Sequence, residues 1–319
     1  MVDQRYTSGF TLIELMVALS LGLLIVAAGL AVFLSSQRSL GFQSSMGELQ
    51  QNANFGLSLL TYDLRHTNLN TVSAQRVNNL VIGSGIIFKK ENLPLSSQSV
   101  SALETDLVTL QSKDNDNTTG KSDRLTIQYT PQTNRIFNCE GAEVTNASEK
   151  VIVQRYYLAR SAQQVAGEPT AYSLYCDAGE YAKSGATAVT GLGTHAQQIM
   201  QRVDAFKVRL GVKNPSGQLR YMTINEYLAA MNIIRAACAT PIVEDECSKN
   251  YLQVLSMDIG ILSRSTGSIG LDASLNTKTT FNLAGIDVTL SGDAALNKKY
   301  LRQAVNQVVA VRNTLGASS

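Results

Sequence analysis

An unbroken apolar segment runs from Phe10 to Leu34. Its twenty-five residues include only one charged side chain, Glu14. As a helix this segment would be about 37 Å long, which exceeds the roughly 30 Å hydrocarbon core of a bilayer. Helices in the core of a soluble protein seldom stay apolar on every face over this length. The pattern therefore predicts that residues 10–34 form a membrane-spanning helix.

A helical pattern of a different kind follows the apolar segment. Apolar residues recur at steps of three and four along one helix face, namely Phe42, Met46, Leu49, Ala53, Leu57, Leu60 and Leu64. No proline occurs before Pro94, so nothing in this region has to break a helix. We therefore predict one continuous helix from about Thr11 to His66. Residues 35–68 would form its amphipathic half, whose apolar face has to pack on the rest of the protein.

From residue 69 onward, short apolar stretches alternate with polar ones, which is typical of strands joined by loops. The candidate strands are Asn79–Phe88, Leu125–Tyr129, Ile152–Leu158, Tyr172–Tyr175, Ala205–Val212, Leu252–Leu262, Thr279–Leu283 and Val308–Val311. Ile224 to Ala237 is the one further helical pattern. Together with the long helix, this pattern predicts a single α+β domain over residues 69–319, in which the helix packs on an antiparallel β-sheet.

The composition excludes some classes of function and gives no sign of an active site. Lys and Arg number 27 and Asp and Glu number 25, so charge alone predicts no nucleic-acid or anionic-membrane partner. Two histidines exclude a His-rich metal site. His66 and His195 have no nucleophile pattern beside them and are expected at the surface. We expect no enzyme and no cofactor; the alternative is a membrane-tethered enzyme or binding protein that uses the helix only as an anchor.

Four cysteines, all beyond the apolar segment, permit three disulfide pairings. Disulfides are expected if the helix carries the following residues out of the cytoplasm. We expect Cys139 to pair with Cys176, which would join two strand ends, and Cys238 to pair with Cys247 across a polar loop. The spacings do not match a four-cysteine zinc site, which needs close pairs.

The segment from Asp114 to Gly120 faintly resembles a calcium-binding loop. Asp114 and Asp116 occupy its first and third places. However, the EF-hand pattern requires Asp or Asn at the fifth place, Gly at the sixth and an acid at the twelfth. Those places hold Thr118, Thr119 and Leu125. A solvated turn is therefore the preferred interpretation, with calcium binding as the alternative.

Glu14 is the informative exception within the apolar segment. A carboxylate in a membrane helix costs about 2–3 kcal/mol, so it is expected to have a partner. The string Gly9-Phe10-Thr11-Leu12-Ile13-Glu14-Leu15 resembles the class III signal of type IV prepilins and type II secretion pseudopilins. This resemblance implies that a prepilin peptidase removes the leader, residues 1–9, by cutting between Gly9 and Phe10 on the cytoplasmic side, and that Phe10 is then N-methylated. It also implies that Glu14 neutralises the new amino terminus of a neighbouring subunit during assembly.

Weaker matches further along the chain resemble PilW-like minor pilins. They are Leu59–Asn68, Asp123–Tyr129 followed by Cys139, Leu174–Cys176, Val254–Ser265 and Val308–Asn313. The resemblance implies a pilin-like fold and a minor pilin of a type IV pilus. Such a protein would be held in the inner membrane by one helix, with its C-terminal domain in the periplasm, and would then join the pilus at its tip. Its partners would be other minor pilins, the major pilin and the inner-membrane assembly platform, with a tip adhesin as a further candidate.

In this interpretation the protein primes pilus assembly and contributes to twitching, adhesion or DNA uptake without catalysis. A J-like minor pseudopilin of a type II secretion system is the alternative, since it shares the signal and the helix. The kink proline that major pilins commonly carry in the long helix is absent here, which argues against the bulk filament subunit.

Overall fold

A long helix, α1, runs from Leu12 to Leu64 in the computed structural model of the chain. Thr11 is its N-cap, and the Thr11 hydroxyl accepts a hydrogen bond from the Glu14 amide at 3.3 Å. Asn68 and Asn70 adopt left-handed backbone angles just beyond the last turn, which prevents the helix from continuing. The helix thus begins and ends within two residues of the boundaries predicted from the sequence.

The two halves of α1 have different surroundings. The structure describes residues 9–71, 76–93, 107–114, 117–119, 121–238, 244–269 and 277–314. Within them, every side chain from residue 12 to residue 34 is exposed, and this helix is long and apolar enough to cross a membrane. The buried side chains of α1 all lie in its second half, at Ser45, Leu49, Ala53, Gly56, Leu60 and Leu64. Four of these residues belong to the predicted apolar face, so the amphipathic pattern is confirmed.

The described strands form two main antiparallel sheets. The strands are β1 (Leu110–Asp114), β2 (Ser122–Tyr129), β3 (Arg135–Phe137), β4 (Glu143–Thr145), β5 (Lys150–Arg160), β6 (Tyr172–Ala182), β7 (Gln197–Met200), β8 (Val203–Lys213), β9 (Leu219–Thr223), β10 (Gln253–Arg264), β11 (Thr280–Leu283), β12 (Ile286–Thr289) and β13 (Arg302–Ala310). One sheet has the order β1-β2-β5-β6-β7 and the other the order β13-β10-β8-β9. β3–β4 and β11–β12 form separate two-stranded sheets. The predicted fold class, a long helix packed on antiparallel sheet, is confirmed.

The main hydrophobic core lies where the two sheets and the second half of α1 meet. It contains Ile127 and Tyr156 from the first sheet, Phe206 and Ile259 from the second, and Leu60 from α1. Each of these side chains is fully buried. Because both sheets contribute to one core with the helix, α1 is part of the domain from about residue 45 onward.

Three shorter α-helices lie within the described residues. They are α2 (Ile224–Ala236), α3 (Glu244–Cys247) and α4 (Gly292–Leu296). α2 has a capping box, in which Thr223 and Glu226 satisfy each other's backbone amides. Tyr227 and Met231, one turn apart, bury its inner face. The helical pattern from Ile224 to Ala237 is therefore confirmed almost to the residue.

The predicted strand Asn79–Phe88 is wrong. These residues form turns, and a single β-bridge joins Ile86 to Ile127. Gly85 and Ile87 make backbone hydrogen bonds with β2, but side-chain amides hold turns at both ends of the segment. Asn78 accepts hydrogen bonds from two backbone amides that follow it, and Asn92 accepts two from the residues that precede it. Gly83 adds a positive φ of 76° between them.

The structure has more strands than the apolar pattern predicts, and one predicted strand is longer than expected. β13 begins at Arg302, six residues before the predicted start at Val308. Its first four residues are only half-buried and begin with the polar pair Arg302 and Gln303, so the apolar pattern does not reveal them. β1, β3, β4, β7, β9 and β12 were not predicted. All are five residues or shorter, too short to show a reliable alternation of apolar and polar residues.

Candidate functional site

The residues of the predicted cleavage site lie outside the helix. Gly9 and Phe10 precede the N-cap Thr11, and the Phe10 side chain is 94% exposed. One carboxylate oxygen of Glu14 accepts hydrogen bonds from the backbone amide and the hydroxyl of Thr11, each at 2.9 Å. This capping box satisfies Glu14 within its own chain and fixes the start of α1 two residues beyond the Gly9–Phe10 bond.

A second apolar feature of α1 lies on an exposed side of the helix, next to the edge of the domain. Phe55, Leu59 and Tyr62 are spaced four and three residues apart and are 62%, 39% and 65% exposed. We name these three residues the outer stripe. A groove of about 500 Å³ lies next to it and is lined by Phe55, Glu48 and Asn52 of α1 together with Gln201, Arg264, Thr266 and neighbouring side chains. The sequence contained the signal for the outer stripe, namely a second set of apolar residues at helical spacing.

The end of α1 is held by the C-terminal residues of the described chain. The side-chain amide of Asn313 donates hydrogen bonds to the carbonyl oxygens of Thr67 at 3.0 Å and Arg65 at 3.4 Å. Asn68 donates in return to the carbonyl oxygen of Asn313 at 3.0 Å. Carbonyl groups after the last turn of a helix lack partners within the helix, so these bonds act as a cap supplied from a distant part of the chain.

Asp63, on the last turn of α1, contacts β5. The hydroxyl of Tyr156 donates a hydrogen bond to a carboxylate oxygen of Asp63 at 2.9 Å. Burial raises the pKa of Asp63 to about 6, although the hydrogen bond from Tyr156 acts in the opposite direction. We refer to this contact, with the Asn313 cap, as the helix–domain joint.

A cluster of buried charged residues joins the second sheet to the loop before β6. Asp204 forms ion pairs with Arg264 at 3.1 Å and with Arg302 at 2.7 Å. Glu168 pairs with Arg264 at 3.0 Å and with Arg202 at 2.7 Å. Sequence reasoning missed this cluster because its members come from four separate segments of the chain.

Both expected disulfides are present. Cys139, after β3, is bonded to Cys176 of β6, with Cα atoms 6.1 Å apart. Cys238, just after α2, is bonded to Cys247 at the end of α3, with Cα atoms 5.7 Å apart. They tie the β3–β4 hairpin and the end of α2 to the rest of the domain.

The other residues singled out from the sequence do not come together. His66 stacks on Tyr129 with ring centroids 5.3 Å apart, and His195 lies exposed in a loop. Residues 115, 116 and 120 of the candidate calcium loop, including Asp116, lie outside the described residues, so calcium binding there stays an alternative prediction. Within the part of the chain that the structure describes, no group of three or more His, Cys, Asp or Glu residues is placed to hold a metal ion.

Two known protein families match the chain, one at its N terminus and the other within its domain. The family described as "Prokaryotic N-terminal methylation motif" matches residues 4–30. The family described as "Type IV Pilus-assembly protein W" matches residues 155–313. The chain is a type IV pilin-like protein. Its domain is most similar to the PilW family, and the match extends from within β5 to just beyond β13 of this pilin-like protein. The second description names a pilus-assembly protein, and the first names a methylation motif.

Similarity to individual proteins is low. A type IV-like pilin from Thermus thermophilus matches with 10% sequence identity and a TM-score of 0.34, covering 83% of this chain and 97% of its own. Compared with the curated proteins, the pilin-like protein has no significant match.

Proposed function

We propose that this pilin-like protein is a minor pilin of a type IV pilus system. Prepilin peptidase cuts it between Gly9 and Phe10, Phe10 is N-methylated, and the helix anchors the domain on the periplasmic side of the inner membrane. The protein then joins other minor pilins to prime pilus assembly and lies at or near the filament tip. The match to the PilW family supports a minor pilin rather than the bulk subunit.

One observation carries this proposal: the first half of α1 has no partner within the described chain. Its side chains from residue 12 to residue 34 are exposed, and all but Glu14 are uncharged. Burying one large aliphatic side chain is worth about 1.5–3 kcal/mol, so a helix with this surface requires a bilayer or other apolar helices around it. A subunit that moves from the membrane into a filament of packed helices meets both environments in succession.

Glu14 has the geometry to serve in both environments. While the subunit is alone, the two hydrogen bonds from Thr11 stabilise its carboxylate. Cleavage after Gly9 would create a positively charged amino terminus at Phe10. In a neighbouring subunit that amino terminus would give Glu14 an opposite charge, which offsets the cost of a carboxylate in an apolar surrounding.

Two substitutions of Glu14 separate its charge from its capping role. Glu14→Gln retains a side chain that can complete the capping box but removes the charge, whereas Glu14→Ala removes both. We expect both variants to be cut to the mature size and both to reduce surface pili strongly, as measured by immunoblot and by counting sheared pili. Normal piliation with Glu14→Gln would show that the charge is not required, and would refute this role. Glu143→Gln, an exposed carboxylate on β4, is the matched control and should leave piliation unchanged.

The processing step has its own test. Replacing Gly9 by a bulky residue, as in Gly9→Leu, should leave an unprocessed precursor in the membrane, because the peptidase requires a small residue before the cut in the signal that this segment resembles. A product of mature size would contradict the proposed cleavage site.

Deletion of the protein should reduce pili and twitching. A loss of enzyme secretion with normal pili would instead favour the alternative, a J-like minor pseudopilin.

The exposed outer stripe favours contacts between α1 and helices of other subunits beyond the membrane segment. It continues the apolar surface of α1 into the half of the helix that lies against the domain. We expect Phe55→Ser with Leu59→Ser to weaken co-purification with other minor pilins while the domain stays folded. Leu296→Ser, at an 82% exposed position of α4, removes similar apolar surface elsewhere and is the control. Equal co-purification of the two variants would count against the stripe.

A further inference from the structure

β13 forms one edge of the second sheet, because it pairs with β10 and with no other described strand. An edge strand presents unpaired backbone N–H and C=O groups, which another chain can use for pairing. Proteins protect such edges with charged residues, proline, bulges, short strands or a covering element. The way each edge of this domain is protected therefore indicates which edge is available to a partner.

The register of the β10–β13 pair determines which backbone groups of β13 are free. Val311, just beyond β13, donates its backbone N–H to the carbonyl oxygen of Leu255 at 2.8 Å. Hydrogen-bonded and non-hydrogen-bonded positions alternate in an antiparallel pair, so the odd-numbered residues of β13 bond to β10. The even-numbered residues point their N–H and C=O groups away from β10, along the free edge. They are Arg302, Ala304, Asn306, Val308 and Ala310.

The second half of this edge is exposed and regular. Asn306, Gln307, Val308 and Ala310 are exposed, and the exposed fraction of Val308 is 47%. β13 pairs with β10 over its whole length without a bulge, and no residue of β13 after Arg302 is charged. The carbonyl oxygen of Val308 accepts a hydrogen bond from the side-chain amide of Gln307 at 3.0 Å. A strand that paired with β13 would replace this local bond by a ladder of backbone bonds.

The other three edges of the two main sheets are protected. β1 has an irregular register between Leu110 and Asp114. β7 is four residues long and lies against α1, where Asn52 donates a hydrogen bond to the carbonyl oxygen of Gln201 at 2.7 Å. β9 is five residues long and carries the exposed Arg220. Within the described residues, β13 is thus the long and regular edge that remains open.

The position of β13 indicates the direction from which a partner approaches. Val309 and Val311 share the main core with Leu60 and Leu64 of α1, and Asn313 caps the end of that helix. The open edge therefore lies on the side of the domain to which α1 is attached. In a filament whose subunits pack through α1, neighbouring domains come close to this side.

We propose that the free edge of β13 pairs with an extended strand of a neighbouring pilin subunit. The occupant is a strand because a row of free N–H and C=O groups matches another extended chain, whereas a helix uses its backbone groups internally. Beside Val308 and Ala310 the partner strand carries uncharged side chains. The source of the strand rests on the proposed function. The pairing adds a contact between domains to the contacts that the helices make.

Hydrogen exchange resolved to single amides tests the pairing. The full-length protein is measured alone in detergent micelles and in complex with the pilin subunits that co-purify with it from solubilised membranes. In the isolated protein, the even-numbered amides of β13 should exchange fast. In the complex, the amides of Asn306, Val308 and Ala310 should exchange at least about tenfold more slowly, because they become hydrogen-bonded. Unchanged exchange in a complex that contains pilin subunits overturns the proposal and leaves the proposed function intact.

Two other results would also overturn the pairing. If the even-numbered amides are already protected in the isolated protein, the edge is occupied by this chain itself or by a second copy of it. If no pilin subunit co-purifies with the protein, the neighbour named here is wrong, and so is the proposed function. A failure of the edge alone is therefore distinguishable from a failure of the function.

Lysines on the edge provide a second test. Val308→Lys with Ala310→Lys places two charges where the partner strand would lie, and both positions are exposed in the free domain. The variant should melt at the same temperature as the wild type but reduce the amount of co-purifying pilin about tenfold, because charged side chains on an edge exclude a partner strand. Leu219→Lys with Ile233→Lys, at exposed positions of β9 and α2, is the control. Equal co-purification with the two double variants contradicts the proposal.

Discussion

Asp204→Ala removes the carboxylate that lies between two buried guanidinium groups. Asp204 accepts from Arg264 at 3.1 Å, from Arg302 at 2.7 Å and from the side-chain amide of Asn117 at 3.0 Å. Both arginine side chains are at most 2% exposed. Removing one partner of a buried ion pair costs about 3–5 kcal/mol. Here the loss falls on Arg302, which stays away from water without its carboxylate partner, whereas Arg264 keeps its ion pair with Glu168. Domains unfold with only about 5–15 kcal/mol, so this loss is a large part of the total.

The expected change is measurable as a melting temperature. For a domain of this size, 1 kcal/mol corresponds to about 2–4 °C, so Asp204→Ala should melt about 6–20 °C below the wild type. Circular dichroism of the full-length protein in micelles follows the loss of sheet structure. Asp204→Asn keeps the shape of the side chain and one hydrogen-bond acceptor, so its melting temperature should lie between those of Asp204→Ala and the wild type.

An exposed ion pair provides the matched control. Arg135 and Glu143 pair across the β3–β4 hairpin, where their side chains are 73% and 39% exposed. Glu143→Ala removes a carboxylate of the same kind but should cost at most about 1 kcal/mol, since water stabilises the remaining arginine. If Asp204→Ala and Glu143→Ala lower the melting temperature equally, the argument from burial is refuted.

Three further predictions concern the packing of the domain. Gly260→Val should cost about 1–3 kcal/mol, because even a Cβ atom at this position would lie 2.6 Å from backbone atoms of the β11–β12 turn; thermal melting measures it, and an unchanged melting temperature would contradict the close approach. Asn313→Ala should cost about 1–3 kcal/mol through the lost cap of α1 and should raise hydrogen exchange at the end of the helix and not in β8. Cys139→Ser with Cys176→Ser should lower stability by about 3–4 kcal/mol, given a sequence separation of 37 residues. Reduction of the wild type, which also breaks Cys238–Cys247, should lower stability by at least as much.

The long helix could be predicted because its signal is local and repeated. Apolar residues three and four positions apart and the lack of proline both indicate the same structure over more than fifty residues. The same reasoning predicted α2. It failed at Asn79–Phe88, where apolar residues suggest a strand but the side chains of Asn78 and Asn92 accept hydrogen bonds from nearby backbone amides and hold turns.

The helix–domain joint and the buried charges could not be predicted from local pattern. Asp63 and Tyr156 are 93 residues apart, and Asn68 and Asn313 are 245 apart. No spacing rule links residues at such distances, so only the fold brings them together. The signal at Gly9, Phe10 and Glu14 is the opposite case: its residues lie within six positions, and the sequence alone identified it.

The membrane half of α1 and the half that packs on the domain have different roles, because the domain contacts the helix only from about Phe42 onward. Ser45 is the first buried residue of the helix, and every described position before Phe42 is exposed. Contacts made by the membrane half with lipid or with neighbouring subunits can therefore reach the domain only through the buried face from Ser45 to Leu64 and through the joint at its end. Substitutions in the joint should accordingly change how the domain is held on the helix and leave membrane insertion intact. Substitutions before residue 42 should change insertion and assembly and leave the fold of the domain intact.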